Sequence, residues 1–347
     1  MKPKETAKSI EGMSAAGSAP TLPTTMSAIT RTAYGDPDTL HLTICAVPIP
    51  SANEVLVRVS GAGVDAGTWH LVTGKPYVMR LFGFGLRTPR DPIPGLAFSG
   101  RVVAIGPDVT HIHIGDEVMG SAQGAFAEYV TAKEGKVRPK PRNLSHVHAA
   151  ALPISGVTAY EAVRDAKINA GDRVLVLGAS GGVGHFAVQL AVAAGATVTG
   201  VCSSSKAEFV RSLGASDVID YRETDPTDLE REWDIIIDTA GNRSLRRLRS
   251  VLSPDGTLVI VGGENGGAFL GGIERTLAAT VVNVFSRHRL RGLVSRGNPA
   301  DYKTLTALAE KNVIAPRVDS SFPLAEAAAA IDYVRSGKAH GKVVLSL

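Results

Sequence analysis

The stretch of this sequence best suited to chemistry is a glycine-dense turn, Gly178-Ala-Ser-Gly-Gly-Val-Gly184. It follows an apolar run typical of a buried strand and precedes an alanine-rich apolar run typical of a helix. Glycines at this spacing let the backbone approach a phosphate, and a helix N-terminus offers unpaired N–H groups and a positive dipole end. The pattern predicts a pyrophosphate-binding loop for a dinucleotide, and a glycine turn without a ligand is the alternative.

The segment after the next predicted strand indicates which dinucleotide would bind. In sites for NAD this strand usually ends in Asp or Glu, which binds the ribose. Here the strand ends at Cys202, and Ser203, Ser204, Ser205 and Lys206 follow it. Hydroxyl groups and an ammonium suit a 2′-phosphate, so the sequence favours NADPH. Helix capping is the alternative role of the serines.

Elements around the glycine turn divide the chain into two regions. From about residue 26 to 150 short strands and turns predict a β-rich domain, after which Ser145 is a predicted helix N-cap. Strands and helices then alternate, which predicts parallel βαβ units. The predicted strands are 173–178, 197–202, 234–238 and 257–262, and the predicted helices are 183–194, 205–213 and 242–252. A last helix, 324–336, and a strand, 342–347, could rejoin the first domain.

The composition sets the protein class. The 347 residues are 44% hydrophobic and 20% charged, as expected for a globular chain of two domains. The net charge of +4 is too small to imply nucleic-acid binding, and the arginines of 243–250 lack an aromatic platform. Cys45 and Cys202 cannot form a four-thiolate zinc lobe, and we expect both in the core. No apolar run reaches the ~18 residues of a membrane span.

Residues 1–25 differ in composition from the rest of the chain. They are rich in Ser, Ala, Thr, Pro and Lys, have no apolar core, contain Glu5 and Glu11, and lack Arg. These features do not fit a secretory signal and disfavour a transit peptide. We therefore predict a disordered N-terminal extension and a cytoplasmic protein.

Several motifs, taken in order, resemble the medium-chain dehydrogenase/reductase superfamily, and most of all its zinc-independent, quinone oxidoreductase-like branch. The motifs are PGLAFSGRVVAIGPDVTHIHIGDEVMG, GAFAEYV, AAALPISGVTAYEAV and GDRVLVLGASGGVGHFAVQLA. The resemblance runs from about residue 28 to 347. It implies an α/β fold with a GroES-like, β-rich catalytic domain (26–150 and 315–347) and a Rossmann NADPH-binding domain (151–314), a doubly wound parallel sheet. It places the active site between them.

The resemblance also implies a set of cofactor contacts. The glycine loop would hold the pyrophosphate, the serines with Lys206 and Tyr221 would hold the 2′-phosphate, and Thr158 would face the nicotinamide. Lys342 begins the last strand, where the family's chain approaches the cofactor, and a surface position is its alternative. The residues that match are Thr158, Ser180, Gly181, Gly182, Val183, Ser203, Ser204, Lys206, Tyr221, Gly262, Gly263 and Lys342.

The positions of the family's catalytic zinc ligands do not carry ligands here. Zinc-dependent relatives have Gly-His-Glu where this chain has Gly-Leu-Ala at 95–97, and Cys where it has Asp65. A catalytic zinc needs three protein ligands, so we predict no metal. His111 and His113 lack a third ligand and fit a surface turn. Alcohol oxidation assisted by a Lewis acid is therefore disfavoured.

Candidates for proton delivery are few. His70 falls where zinc-containing relatives place a relay histidine, and a structural role is its alternative. Asp65 would contact the nicotinamide or the acceptor, and Tyr77 is a weaker donor. The glycine-spaced aromatic segment 73–92 could form an acceptor pocket or lid, with ordinary packing as the alternative.

Together these features predict a metal-free NADPH-dependent oxidoreductase that transfers a hydride to a quinone or an α,β-unsaturated carbonyl. An NADP-dependent alcohol dehydrogenase and a non-catalytic NADPH-binding sensor are the alternatives. We expect a small-molecule acceptor and no nucleic-acid or membrane partner. The resemblance suggests a homodimer formed through 289–295 at the edge of the Rossmann sheet.

Overall fold

A computed structural model of the chain describes residues 22–262, 267, 269–284 and 286–347. Its strands are β1 (Thr25–Thr30), β2 (His41–Ala46), β3 (Glu54–Val64), β4 (Ala97–Ile105), β5 (Glu117–Ser121), β6 (Tyr129–Lys133), β7 (Val137–Pro139), β8 (Arg173–Leu177), β9 (Thr197–Cys202), β10 (Asp217–Asp220), β11 (Trp233–Asp238), β12 (Leu252–Ile260), β13 (Arg289–Gly292), β14 (Val318–Pro323) and β15 (Lys342–Ser346). Its α-helices are α1 (Ala66–Thr73), α2 (His146–Ala150), α3 (Val157–Ala166), α4 (Gly184–Ala193), α5 (Ala207–Ser212), α6 (Leu245–Arg249), α7 (Ile273–Val284), α8 (Pro299–Glu310) and α9 (Ala327–Arg335).

Six strands form a parallel sheet in the order β10-β9-β8-β11-β12-β13. The chain starts in the middle at β8, moves outward to β10, and then returns to the other side of β8 at β11. In such doubly wound sheets, ligands bind beyond the carboxyl ends of the strands where the order reverses. The central strands β8 and β11 carry apolar runs, as expected where both faces are covered, and Val176 and Ile237 are fully buried.

The second large sheet contains strands from both ends of the chain, in the order β14-β15-β3-β4-β5-β7, with β6 also paired to β3. Strand β15 pairs antiparallel with the end of β3, where Val343 lies opposite Val64. Val57, Phe98 and Val343 belong to one core, so the C-terminal strand is an integral part of this domain. The α/β fold class with a GroES-like domain and a Rossmann domain is confirmed.

Predicted elements differ from the structure mainly where proline or unrecognised helices intervene. Ser145 is the N-cap of α2, as predicted, with its Oγ accepting from the His148 N–H at 3.3 Å. The helix expected to continue is interrupted by a π-helical turn at Leu152–Gly156, because Pro153 has no N–H to donate. Helices α7 and α8 were not predicted, although Asn298 before Pro299 is a helix-start signal that caps α8.

Three further expectations concerned the N-terminal extension, the two cysteines and membrane-spanning helices. Residues 1–21 of the predicted N-terminal extension lie outside the described residues, and Thr25 already belongs to β1. Cys202 is buried, but Cys45 is only partly buried on β2, which corrects its core assignment. In the described part of the chain, no helix combines the length and the apolar character needed to cross a membrane.

Candidate active site

A cleft of about 470 Å³ lies between the two domains. The Rossmann domain contributes the segments that follow the carboxyl ends of β8, β11 and β12, and the other domain contributes α1 and the segment before β15. The predicted cofactor residues that line this cleft are Thr158, Ser180, Gly181, Gly182, Val183, Lys206, Gly262 and Lys342. Gly263 lies outside the described residues. The cleft therefore brings together most of the positions selected from the sequence.

The glycine loop follows β8 directly and leads into α4. Gly178 has φ +76°, and a Cβ there would approach Thr239 Oγ1 to 2.6 Å. A Cβ on Gly184 would lie 2.0 Å from the Gly178 carbonyl oxygen, so only glycine lets the helix pack this closely on the strand. The loop and the N-terminus of α4 thus present backbone N–H groups at the switch point of the sheet, where a pyrophosphate would fit.

The segment 337–342 runs along the cleft and defines its two ends. The Lys206 ammonium donates to the carbonyl oxygens of Gly337 and Ala339, each at 2.6 Å. Further along, the Gly341 N–H donates to the carbonyl of Ser180 in the glycine loop at 2.8 Å. The next residue, Lys342, reaches the residues at the start of α1. The glycine loop therefore lies between a Lys206 end and an end formed at α1.

At the Lys206 end, the predicted phosphate-binding groups are partly engaged by the protein itself. Lys206 is buried, which lowers its pKa by desolvation, and two carbonyls already accept from its ammonium. The Oγ atoms of Ser203 and Ser205 are 3.1 Å apart. The Ser204 N–H donates to Asp220, while Tyr221 is 47% exposed and does not line the cleft. One ammonium N–H of Lys206 remains for a ligand.

The sequence analysis missed Asp220, a carboxylate beside the predicted 2′-phosphate site, because its position there depends on strand pairing. In the sequence, no carboxylate follows Cys202 before Glu208, but β10 pairs with β9 and sets Asp220 beside Cys202. Its Oδ2 accepts from the Ser204 N–H at 2.7 Å and its Oδ1 from the Arg222 N–H at 2.9 Å. Its pKa is lowered, and the backbone hydrogen bond from Arg222 is the main cause. A negative charge and the Arg222 cation therefore both lie near the predicted 2′-phosphate site.

At the other end, a buried ion pair joins the two domains. Asp65 is the N-cap residue of α1, and its Oδ1 accepts from the Lys342 ammonium and, at 2.5 Å, from the Ser155 hydroxyl. Lys342 is 2% exposed, so its alternative assignment as a surface lysine is wrong. A Cβ on Gly182 would lie 3.2 Å from Ser155 Oγ and 3.5 Å from Lys342 Cδ. The glycine loop thus packs directly over the ion pair.

Only two of the three candidates for proton delivery line the cleft. Asp65 and His70 line the cleft, but Tyr77 does not. Tyr77 packs edge to face on Phe269, with ring centres 5.3 Å apart. The Nδ1 of His70 lies 2.9 Å from the Lys75 carbonyl oxygen, to which only a protonated Nδ1 can donate. In the neutral ring this leaves Nε2 as an acceptor.

The aromatic segment 73–92 is not a wall of the cleft. None of its residues in the described part of the chain lines the cleft or the chamber described next. The Tyr34 hydroxyl donates to the carbonyls of Phe84 and Gly85 at 2.6 and 2.8 Å, and the Val78 N–H donates to Phe269. These contacts hold the segment against neighbouring loops, so its assignment as an acceptor pocket is corrected to packing.

A second, mostly apolar chamber of about 370 Å³ adjoins the α1 end of the cleft and shares Ile154 and Thr158 with it. Leu96 forms part of its wall. Its polar lining includes Gln123, Lys136 and Arg296, together with the pair Tyr302 and Ser121, whose hydroxyl oxygens lie 2.7 Å apart. Burial raises the pKa of Tyr302. Sequence reasoning missed Tyr302 because it lies on α8, which was not predicted.

The residues at the positions that carry zinc ligands in zinc-dependent relatives do not fit a zinc ion. Asp65 is paired with Lys342 and accepts a hydrogen bond from Ser155, and Leu96 lines the adjoining chamber without a donor atom. Within the described residues, no group of three His, Cys, Asp or Glu side chains is close enough to hold a metal. His113 faces Asp116 across a turn at 3.7 Å, and His111 is exposed. A catalytic zinc site would need ligands that these positions lack.

His185, in the first turn of α4, is fully buried beneath the glycine loop. Its Nδ1 lies 3.0 Å from the Gly181 carbonyl oxygen, and the Arg317 N–H donates to its Nε2 at 3.4 Å. This pattern requires a neutral ring with the proton on Nδ1. Burial is the main cause that lowers its pKa to about 3. The sequence offered no signal that His185 supports the glycine loop, apart from its position directly after Gly184.

Comparison with known proteins extends over both domains. Residues 51–142 match the family described as alcohol dehydrogenase GroES-like domain, and residues 213–345 match the family described as zinc-binding dehydrogenase. The chain is 30% identical over 339 residues to 2-methylene-furan-3-one reductase from Solanum lycopersicum, covering 93% of this chain and 80% of the relative. It is 30% identical over 359 residues to mitochondrial NAD(P)H oxidoreductase RTN4IP1 from Bos taurus, covering 90% and 87%. The solved quinone oxidoreductase from Coxiella burnetii has a TM-score of 0.80 at 29% identity, covering 93% of this chain and 99% of that one.

Proposed function

We propose that this chain is a metal-free, NADPH-dependent reductase of quinones or α,β-unsaturated carbonyls. The chain belongs to the quinone oxidoreductase-like branch of the medium-chain dehydrogenase/reductase superfamily and is an oxidoreductase with a nicotinamide cofactor. The observation that carries this proposal is the position of the interdomain cleft directly beside the second chamber. A cleft with a glycine loop adjoins a mostly apolar chamber, and among the described residues no group of three His, Cys, Asp or Glu side chains around either space could hold a metal.

We infer the direction of the cofactor from the order of the predicted binding residues along the cleft. The glycine loop would bind the pyrophosphate, and the Lys206 end would bind the adenosine with its 2′-phosphate. The nicotinamide would then lie at the α1 end, near Thr158, Asp65 and His70.

When bound, the reduced nicotinamide supplies a hydride to an electron-poor carbon of the acceptor. The chain's own task is to position the acceptor, exclude water and stabilise the resulting oxyanion or enolate. The apolar chamber beside Thr158 suits a flat, uncharged acceptor. One hydroxyl of the Tyr302–Ser121 pair can donate to its oxygen, since the other donates within the pair, and His70 in the cleft can relay a proton from solvent. Quinones and enones need no Lewis acid because their reduced forms are delocalised.

The choice of NADPH rests on Lys206, with Arg222 as a second cation. One ammonium N–H of Lys206 is free to meet a 2′-phosphate, and the guanidinium of Arg222 lies 5.8 Å from the Tyr221 ring centre. The Asp220 carboxylate opposes a phosphate by like-charge repulsion, but it is held by two backbone N–H groups. Two cations against one anion favour the phosphorylated cofactor.

We also propose a homodimer through the edge of the Rossmann sheet, in a cytoplasmic protein without nucleic-acid or membrane partners. Strand β13 is one of the two edge strands of this sheet, and apolar side chains near it in the fold are exposed: Val294 is 77%, Leu277 61% and Val281 63% exposed. A Val294→Asp variant should then be monomeric by light scattering, with Leu86→Asp, at an apolar position that is 65% exposed and remote in sequence, as the control. A monomeric wild type would contradict the dimer.

A direct assay tests the proposed activity. The purified protein is mixed with NADPH and a panel of quinones, enones and simple ketones, and loss of NADPH absorbance is followed. Oxidation with quinones or enones and not with ketones supports the proposal. Binding of NADPH without turnover on any acceptor would instead support a sensor. Alcohol-dependent reduction of NADP⁺ that a chelator abolishes would support a zinc alcohol dehydrogenase.

A further inference from the structure

The ion pair at the α1 end of the cleft is unevenly satisfied. The Lys342 ammonium uses its three protons on the Val64 carbonyl, Asp65 Oδ1 and Ser155 Oγ. Among the described residues, no donor reaches the second carboxylate oxygen, Oδ2 of Asp65, although it is buried. The side chains of Asp65 and Lys342 are 5% and 1% exposed. A buried carboxylate oxygen without a hydrogen-bond partner is costly, and because Asp65 lines the cleft, a positive charge on a bound ligand would be favoured beside it.

We propose that Asp65 and Lys342 form an electrostatic pair that sets the preference of this site for the oxidised over the reduced cofactor. Asp65, through its free Oδ2, favours the positively charged ring of the oxidised nicotinamide, and Lys342 opposes it. The proposal rests on the proposed function, because it requires the nicotinamide to lie at the α1 end of the cleft.

The two forms of the cofactor isolate this effect. They share both ribose groups, the adenine and every phosphate, and they differ by one hydride, whose loss leaves a unit positive charge on the nicotinamide. Contacts made by the glycine loop or by Lys206 therefore contribute equally to both dissociation constants and cancel in their ratio. Only charges close to the nicotinamide change that ratio, and in a site shielded from water such charges act strongly.

The consequence for the reaction follows from where charge develops. As the hydride moves to the acceptor with its two electrons, the ring becomes positive and the acceptor becomes an anion, which then takes one proton. A carboxylate beside the ring would stabilise that developing charge and so promote reduction of the acceptor. Lys342 pairs with this carboxylate in its buried position. Asp65 then acts as a positioning charge, which does not itself exchange a proton.

The test is a pair of single variants with opposite expected signs. Dissociation constants for NADP⁺ and NADPH are measured by titration calorimetry for the wild type, Asp65→Asn, Lys342→Met and the double variant. Asp65→Asn should raise the ratio of the NADP⁺ constant to the NADPH constant by about tenfold, the scale of one neighbouring charge. Tenfold corresponds to about 30 mV in the potential of the bound two-electron couple. Lys342→Met should lower the ratio, and the double variant should return it close to the wild-type value.

Ser155→Ala is the matched control, because it removes a hydrogen bond of the same cluster and keeps both charges. Its ratio should stay within about twofold of wild type, whatever happens to affinity. The proposal is overturned if both single variants move the ratio in the same direction, or if either folded variant leaves it unchanged. Either single variant is decisive alone, so misfolding of one, which an unpaired buried charge can cause, does not remove the test.

Failure of this inference and failure of the proposed function give different results. A wild type that binds neither NADPH nor NADH contradicts the proposed function. A wild type that binds NADPH and reduces enones, with a ratio that Asp65→Asn does not change, contradicts only the role of the ion pair. A ratio that moves as expected in a protein that reduces no quinone or enone supports the ion pair and contradicts the acceptor class.

Discussion

Acidification should destabilise this protein through one buried histidine beneath the cofactor loop. His185 is fully buried, and its pKa in the folded protein is lowered from 6.5 to about 3. Both ring nitrogens are engaged, Nδ1 as donor to Gly181 and Nε2 as acceptor from Arg317. Protonation would give the ring a second hydrogen, on Nε2, which would point at the Arg317 N–H. The folded state therefore binds this proton less readily than the unfolded chain does.

The sign and size of the effect follow from proton linkage. Above pH 6.5 the ring is neutral in both states, and the free energy of unfolding does not depend on it. As the pH falls below 6.5 only the unfolded chain takes up the proton, so stability decreases until about pH 3. Each pH unit in this window changes the free energy by about 1.4 kcal/mol. Between pH 7 and 5, His185 alone should cost about 2 kcal/mol.

Urea unfolding at pH 7 and pH 5, followed by the fluorescence of Trp233, measures this loss in the Rossmann domain. Trp233 is buried on β11 of the same sheet, whereas Trp69 lies on α1 of the other domain and is replaced by Phe in the background. His185→Asn keeps a donor near the Gly181 carbonyl and cannot be protonated, so it should remove about 2 kcal/mol of the pH dependence. His148→Asn, at an exposed position on α2, is the control and should keep the wild-type slope. Equal pH slopes for the wild type and His185→Asn would refute the assignment.

Three further predictions concern the cofactor and the reaction. Lys206→Ala should weaken the binding of NADPH by at least about tenfold and leave the binding of NADH nearly unchanged, because one charge-assisted hydrogen bond contributes roughly 1.5–3 kcal/mol. Fluorescence titration measures both affinities, and equal losses would contradict the 2′-phosphate assignment. Elemental analysis of protein purified without a chelator should find no stoichiometric zinc, and activity that depends on about one zinc per chain would overturn this. His70→Gln should lower kcat with enones by about 100-fold or more while the NADPH dissociation constant stays within about threefold, and wild-type turnover on every acceptor would make His70 structural.

The glycine loop could be recognised from the sequence because its chemistry is local. Gly178 and Gly184 are neighbours in the chain, and the turn, the close strand–helix approach and the helix N-terminus all form within one βαβ unit. The alternation of strands and helices likewise determined the parallel sheet, since short connections and right-handed crossovers leave few other arrangements. The lack of metal ligands at 95–97 could likewise be read from the sequence, because Gly, Leu and Ala have no side-chain donor atoms.

The two ends of the cleft depended on contacts between residues far apart in the chain. Asp220 reaches the Ser204 N–H only because β10 pairs with β9, and Lys342 reaches Asp65 only because β15 returns to β3, which the sequence suggested without specifying the contact. Tyr77 and the segment 73–92 had suitable residue types, but packing on Tyr34 and Phe269 takes them away from the cleft. Local sequence thus determined which groups could hold a dinucleotide. Strand pairing and domain packing decided which charges face it, because electrostatic partners are set by distance in space and by burial, neither of which sequence separation specifies.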